Sequence, residues 1–162
     1  VTATDGLTIR PAAPADLPAI AEVFIASRAA AVPAMPPSIH PPHEVRAFYR
    51  ALDLVAGERE AWVAEDHRGT VAFTELVADW LDAIYVRPDA QGEGIGSALL
   101  DLVKTLRPGG FSLWVFETNT RARAFYARHG LVERELTDGS GNEEKAPDIR
   151  MEWRGSGVGG SP

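Results

Sequence analysis

Three glycines in five residues, set between an apolar run and a helical run, constrain this chain more than any other feature. Ala83-Ile84-Tyr85-Val86 is apolar, Pro88 ends it, and Gly92, Gly94 and Gly96 follow before Ser97-Ala98-Leu99-Leu100 opens an amphipathic pattern. The order reads as strand, glycine turn, helix. Such a turn lets the backbone approach a ligand closely. The helix start aims several N–H groups and the positive end of its dipole at one point. A phosphate group is favoured there.

Two familiar phosphate cradles fail on spacing. A dinucleotide turn needs G-x-G-x-x-G, and counting from Gly92 or Gly94 puts Ser97 or Leu99 where the last glycine belongs. A P-loop needs Gly-Lys-Ser/Thr, whereas Gly96 precedes Ser97-Ala98. What remains is Gln91-x-x-Gly94-x-Gly96 after Val86-x-Pro88.

The rest of the chain supplies one domain around that turn. Its 162 residues, 45% of them hydrophobic, suit a single core. Leu7–Arg10 reads as a short strand. Asp16 is placed to cap a helix carrying Leu17, Ile20, Ala21, Phe24 and Ile25 on one face. A loop rich in proline covers 32–42, and a second helix is expected over 43–54. Strands 61–65 and 70–77 form a hairpin, and 80–86 is the next strand. A helix over 94–106, a strand at 111–116, a helix over 120–129 closed by Gly130, and strands at 131–136 and 149–153 complete the order. This predicts an α+β fold with a mixed sheet. Residues 1–154 make one domain, and the Gly/Ser-rich 155–162 a disordered tail.

Charge and cysteine content exclude several classes. A formal net charge of −7 argues against nucleic acid, whose binders carry a basic stripe, and leans toward a cationic amine partner. Arg121, Arg123 and Arg128 have the spacing of a solvated helix face. With no cysteine there is no disulfide, no thiolate metal site and no cysteinyl nucleophile. His40, His43, His67 and His129 show no paired ligand spacing, so no metal is expected. No apolar run reaches the roughly 20 residues of a membrane span. Val1–Asp5 lacks the charge and apolar pattern of a signal peptide, so the expectation is a cytoplasmic protein.

The glycine turn resembles the acyl-CoA turn of the GNAT superfamily of N-acyltransferases. A second stretch, Asn119-x-x-Ala122-x-x-Phe125-Tyr126-x-x-x-Gly130-Leu131, is similar to that superfamily's other signature. The resemblance implies a sheet whose middle strands splay apart, with helices on both faces, and acetyl-CoA as cosubstrate. It also implies that Gln91, Gly92, Gly94, Ile95, Gly96 and Ser97 hold the pyrophosphate. Backbone groups of Ile84, Tyr85 and Val86 would bind the pantetheine arm and the thioester carbonyl, facing Phe116 and Glu117. Asn119 and Phe125 would meet the same arm, and Tyr126 would protonate the departing thiolate. Glu93 departs from the pattern, since relatives often carry a base there. An acid beside a pyrophosphate is unfavourable unless turned away, so CoA affinity should be ordinary, with Ser97 and Arg87 offering partial compensation.

The acceptor amine must lose a proton. An alkylammonium of pKa near 10.4 is neutral only about once in 2,500 molecules at pH 7. Asp82, on the strand before the gap, is the first candidate base and Glu117 the second. Glu75 is in phase with Val71 and Phe73 and therefore inward-facing. His40 and His43 lie where the superfamily's acceptor pocket opens. The acidic 137–148 segment borders that pocket in relatives. The expected reaction is direct transfer of acetyl to a primary amine in a ternary complex, most simply a small molecule. A protein lysine or N-terminus as acceptor, or an acyl-CoA-binding sensor without turnover, are the alternatives. Relatives often form homodimers, which leaves that assembly open.

Overall fold

The computed structural model describes residues 6–157. Strand β1 (Thr8–Pro11) leads through a 3₁₀ turn at Pro14–Asp16 into helix α1 (Leu17–Ala30), and α2 (Pro42–Arg50) follows. Strands β2 (Arg59–Asp66), β3 (Gly69–Val77) and β4 (Trp80–Val86) form a meander. Then come α3 (Ile95–Leu106), β5 (Phe111–Phe116), α4 (Thr120–Arg128), β6 (Val132–Leu136) and β7 (Asp148–Trp153). They make one mixed sheet in the order β1-β2-β3-β4-β5-β7-β6.

Alternation along the strands separates two apolar faces. Val63 and Phe73 pack with Leu17, Ile20, Val23, Val45 and Tyr49, so α1 and α2 cover one face. Their neighbours Ala64 and Ala72 pack instead with Ile95 and Leu99. Leu100, Val103 and Tyr126 join Leu81, Leu113, Val115 and Met151. Helices α3 and α4 therefore cover the other face.

Two local expectations change. Asp16 does not cap α1; its Oδ2 accepts the Ala13 N–H at 2.7 Å, and both oxygens meet Arg10. Helix α2 stops at Arg50 rather than 54, because Asp53 Oδ1 accepts the N–H groups of Val55 and Ala56, an Asx turn that competes with the helix. Leu52 and Leu54 still reach the α1–α2 core from that turn. In the expected tail, Gly155 is docked: at φ +89°, a Cβ there would run into the Pro108 carbonyl oxygen. Residues 158–162 of that tail lie outside the described residues.

One strand pair and one bulge position the site. β4 and β5 are parallel neighbours but share only the Trp80–Ser112 register, and beyond it they part. On the other edge of β4, Glu75 opposes Ala83 while Leu76 opposes Leu81, so Asp82 is the extra residue of a β-bulge.

Candidate active site

The parting of β4 and β5 opens a cavity of about 790 Å³, within the roughly 300–1,000 Å³ typical of small-molecule sites. Its wall includes Leu81–Val86 of β4 and Leu113–Phe116 of β5, with residues from α1, the glycine turn and α4. It thus has an α3–α4 side and an α1 side, joined through the gap.

The α3–α4 side is built from backbone. Gly92 and Gly94 have φ of +79° and +83°, where L side chains are strained, and Gly94 caps α3. The first helical bond runs from the Ala98 N–H to the Gly94 carbonyl at 3.1 Å. The N–H groups of Ile95, Gly96 and Ser97 therefore have no partner within the helix, and all three residues line the cavity. A Cβ on Gly96 would reach the Phe125 ring at 3.5 Å, so the missing side chain keeps this corner open. Gln91 lines it too, its Nε2 donating to the Val86 carbonyl at 3.2 Å and its Oε1 accepting from Arg121 at 3.4 Å.

Glu93 is turned away from this cradle. Both its oxygens accept from Arg68, at 2.9 and 3.0 Å, and Arg68 also pairs with Asp66, whose carboxyl it holds down at about 2. The expected compensation comes from neither Arg87, whose guanidinium is bound to Asp89, nor a free Ser97, whose hydroxyl meets His129 Nε2 at 3.1 Å. Burial, and then Lys104, push His129 down, so its ring is neutral at physiological pH. The cations left on this wall are Arg121 and Arg128.

Asn119 Oδ1 accepts the Ala122 N–H at 3.3 Å and so caps α4. The cap fixes the start of the helix that carries Phe125 and Tyr126. Tyr126 is buried, and burial raises its hydroxyl above the ordinary phenol value, with Tyr85 adding to the shift. Among the described residues no side chain or backbone group hydrogen-bonds that hydroxyl. It therefore keeps its proton at neutral pH, while handing the proton to a thiolate is more uphill than for a free phenol.

The α1 side is built from buried charge. Arg28, in the last turn of α1, has only 8% of its side chain exposed. Its Nη2 donates to the Pro36 carbonyl at 3.0 Å and lies 3.4 Å from Glu144 Oε1. The guanidinium sits over the Phe24 and Phe116 rings, and the buried Nε has no acceptor. A buried donor left unpaired costs on the order of 1–3 kcal/mol, more when charged. Arg59 spans a second group, donating to Glu75 Oε2 at 2.6 Å and to Asp82 Oδ2 at 2.5 Å. Glu75 is buried, and burial raises its carboxyl although Tyr49 and Arg59 pull it down.

Most expected site residues line this one cavity: Asp82, Ile84, Tyr85, Val86, Gln91, Gly92, Gly94, Ile95, Gly96, Ser97, Asn119, Phe125 and Tyr126. Glu117 does not. Its N–H donates to the Pro147 carbonyl and its own carbonyl accepts from Arg123, which fixes the strand end outside the wall. Glu75 lies beneath the wall rather than in it. Of the 137–148 acids, Glu144 meets the buried Arg28 and Asp148 meets Thr137, while Glu143 meets His40 at the surface. The residues missed from sequence were Arg28, Arg59 and Arg68. Arg28 had a visible signal, since it continues the Leu17, Ala21, Phe24 stripe where an apolar residue belongs. Arg59 acts across strands and Arg68 reaches from the β2–β3 turn to Glu93, and neither had one.

Among the described residues no helix is long and apolar enough to cross a membrane. A family model described as "Acetyltransferase (GNAT) domain" matches residues 57–133. The peptidyl-lysine N-acetyltransferase YjaB of Salmonella typhimurium is 39% identical over 75 residues, 46% of this chain and 51% of that protein. The chain thus spans about half the length of this curated relative. The apo-form solution structure of YjaB from Escherichia coli has a TM-score of 0.72 at 22% identity, covering 93% of this chain and 99% of that one. The spermidine/spermine N-acetyltransferase SpeG of Vibrio cholerae has a TM-score of 0.67 at 20% identity, covering 93% of each chain. These likenesses establish the fold along almost the whole chain. The match to the GNAT acetyltransferase domain falls on the stretch that holds the split sheet and the glycine turn, and over those residues the chain is similar to that family.

Proposed function

We propose that the protein transfers an acetyl group from acetyl-CoA to a primary amine in one step, within a ternary complex. The observation that carries this reading is the single cavity running from the unpaired N–H groups of α3 through the β4–β5 gap to the α1 side. One end suits a pyrophosphate, the gap suits a thioester arm, and the far side admits a second substrate.

In this reading the amine nitrogen attacks the thioester carbon and the C–S bond breaks. Backbone groups of Ile84, Tyr85 and Val86, freed from pairing with β5, hold the arm and polarise the carbonyl. One preorganised donor to a developing oxyanion contributes about 2.7–4 kcal/mol. Asp82 takes the ammonium proton, directly or through water. The bulge brings it to the wall, its side chain is half exposed, and only Oδ2 is bound to Arg59. Tyr126 returns a proton to the leaving thiolate. This chain contains no cysteine, which leaves a cysteinyl acyl-enzyme without a nucleophile.

A compact acceptor fits best, because Arg28, the cation that lines the α1 side, has only 8% of its side chain exposed and lies inside the cavity rather than at its rim. The likeness to a peptidyl-lysine N-acetyltransferase supports a peptide lysine as the second reading. Thiol release from acetyl-CoA, measured with amino acids, polyamines and lysine peptides, tests both. Binding of CoA without thiol release from any amine would instead mark a sensor.

A further inference from the structure

Arg28 is the buried charge that acyl transfer itself leaves without a task. It lines the cavity, yet its compensation is incomplete. Glu144 lies 3.4 Å away, beyond the roughly 2.7–2.9 Å of a good charge-assisted hydrogen bond. The Nε donor is buried without an acceptor. The remaining neighbours are the Pro36 carbonyl, the Phe24 and Phe116 rings and the Tyr85 phenol, which is raised by its burial and so uncharged. None of these is an anion.

The roof of the α1 side is fastened around the same side chain. Pro36 follows the loop whose Ala34 carbonyl accepts from Thr118 Oγ1 at 2.6 Å. The 137–148 segment is tied on through Glu144 and, at Glu143, through His40. Arg28 is therefore held in place by two loops while part of its donor set remains unused, in a residue that lines the cavity.

Resting on the acyl-transfer reading, we propose that the acceptor is a small amine bearing a carboxylate, in the manner of a free amino acid, and that Arg28 binds the carboxylate. The acceptor's amine then points toward the β4–β5 gap. A single negative charge fits a guanidinium already partly offset by Glu144. A polyamine would add cations beside a buried cation.

The test compares amino acids with their carboxamides, which keep the amine and lose the charge. The acid should be preferred about 10- to 100-fold in kcat/KM, the worth of a charged hydrogen bond. Arg28→Gln should bring acid and amide to within about threefold of each other. Glu144→Gln, which removes the competing carboxylate without emptying the core, should lower the KM for the acid several-fold. An amide as good as its acid, or a polyamine or lysine peptide better than both, overturns the proposal and leaves Arg28 a fastener of two loops. The Arg28 Nε–H resonance, followed by NMR with CoA present, separates this proposal from the reaction itself. It should shift with the acid and not with the amide. A shift without any turnover would sink acyl transfer and keep the carboxylate site, whereas turnover with an unmoved resonance would do the reverse.

Discussion

The two sides of the cavity are made of different materials. On the α3–α4 side the contacts come from backbone: glycines at positive φ, a helix start, and strand edges left unpaired where β4 and β5 part. On the α1 side they come from charged side chains: Arg28 from α1 and Asp82 from the β4 bulge line the cavity, and each is paired by a distant element, Arg28 with Glu144 from beyond β6 and Asp82 with Arg59 from β2. A backbone cradle depends on local conformation and tolerates change at other positions. A side-chain cluster depends on each partner, so altering one leaves another buried without its counter-charge. The family match spans 57–133, which holds the backbone-built side and omits Arg28 and Glu144.

The sharpest way to break this contrast is to remove a charge. Arg59→Met strands the buried Glu75, and losing one partner of a buried pair costs about 3–5 kcal/mol. Because Arg59 is partly exposed, we expect about 3 kcal/mol in urea unfolding. Burial already raises Glu75, and without Arg59 it rises further. A raised acid contributes its stability at low pH and loses it as pH rises through the folded-state pKa. The deficit of Arg59→Met should therefore grow from acid toward neutral pH. Adding Glu75→Gln should restore much of the loss. A deficit independent of pH would show that Arg59 acts through packing alone.

Next in size is Tyr126→Phe. On the backbone-built side it is the one side chain given a proton to transfer, and general-acid help is typically worth about 10²–10⁴-fold. Its raised pKa places the expected loss at the lower end, about 10²-fold in kcat with acetyl-CoA affinity unchanged. An unchanged kcat would remove it from the mechanism. Asp82→Asn addresses the other proton: the acid limb of the pH–rate profile should vanish, and an unaltered limb would pass the role to a different group.

This difference in material also explains what could be read from residues alone. The glycine turn and every strand near the gap follow from local rules about φ and alternation, so each was legible with errors of a residue or two. The failures concern partners. Asp53 shortened α2 through a bond two residues ahead. Glu117 has the right residue type in the right neighbourhood, but the Pro147 carbonyl holds its backbone outside the wall. Asp82 was legible as a candidate while Arg59, 23 residues earlier, was not. Pairing across a sheet depends on register, which a bulge shifts by a residue and local pattern does not report.

Smaller effects sharpen the comparison from the backbone side. Gly94→Ala meets no atom within 4 Å of the new Cβ, so its cost is conformational. Holding an L residue at φ +83° costs about 1–2 kcal/mol. That loss should divide between thermal stability and acetyl-CoA affinity. Gly96→Ala, by contrast, makes ordinary contact with Phe125 at 3.5 Å and should fold normally while narrowing the donor side. If both variants bind acetyl-CoA like the parent, the cradle is not where the pyrophosphate sits.

The smallest effect tests how the α1 side is closed. His40 Nδ1 meets Glu44 at 3.1 Å and Nε2 meets Glu143 at 3.0 Å, joining α2 to the segment that carries Glu144. Both carboxylates raise its pKa above the ordinary value, Glu44 more than Glu143. A raised histidine gives its full contribution below its unfolded pKa of about 6.5 and loses it as pH climbs through the folded value. The pair is exposed, so global stability should hardly move. Local order should: hydrogen exchange at the Asn142 and Ala146 amides, corrected for intrinsic rate, should speed up between pH 6 and pH 9. His40→Gln should exchange at the faster level throughout. If the parent and His40→Gln show the same protection at pH 6, the tether does not hold this segment. Arg28 and Glu144 would then close the α1 side alone, and its charge balance would stay fixed across neutral pH.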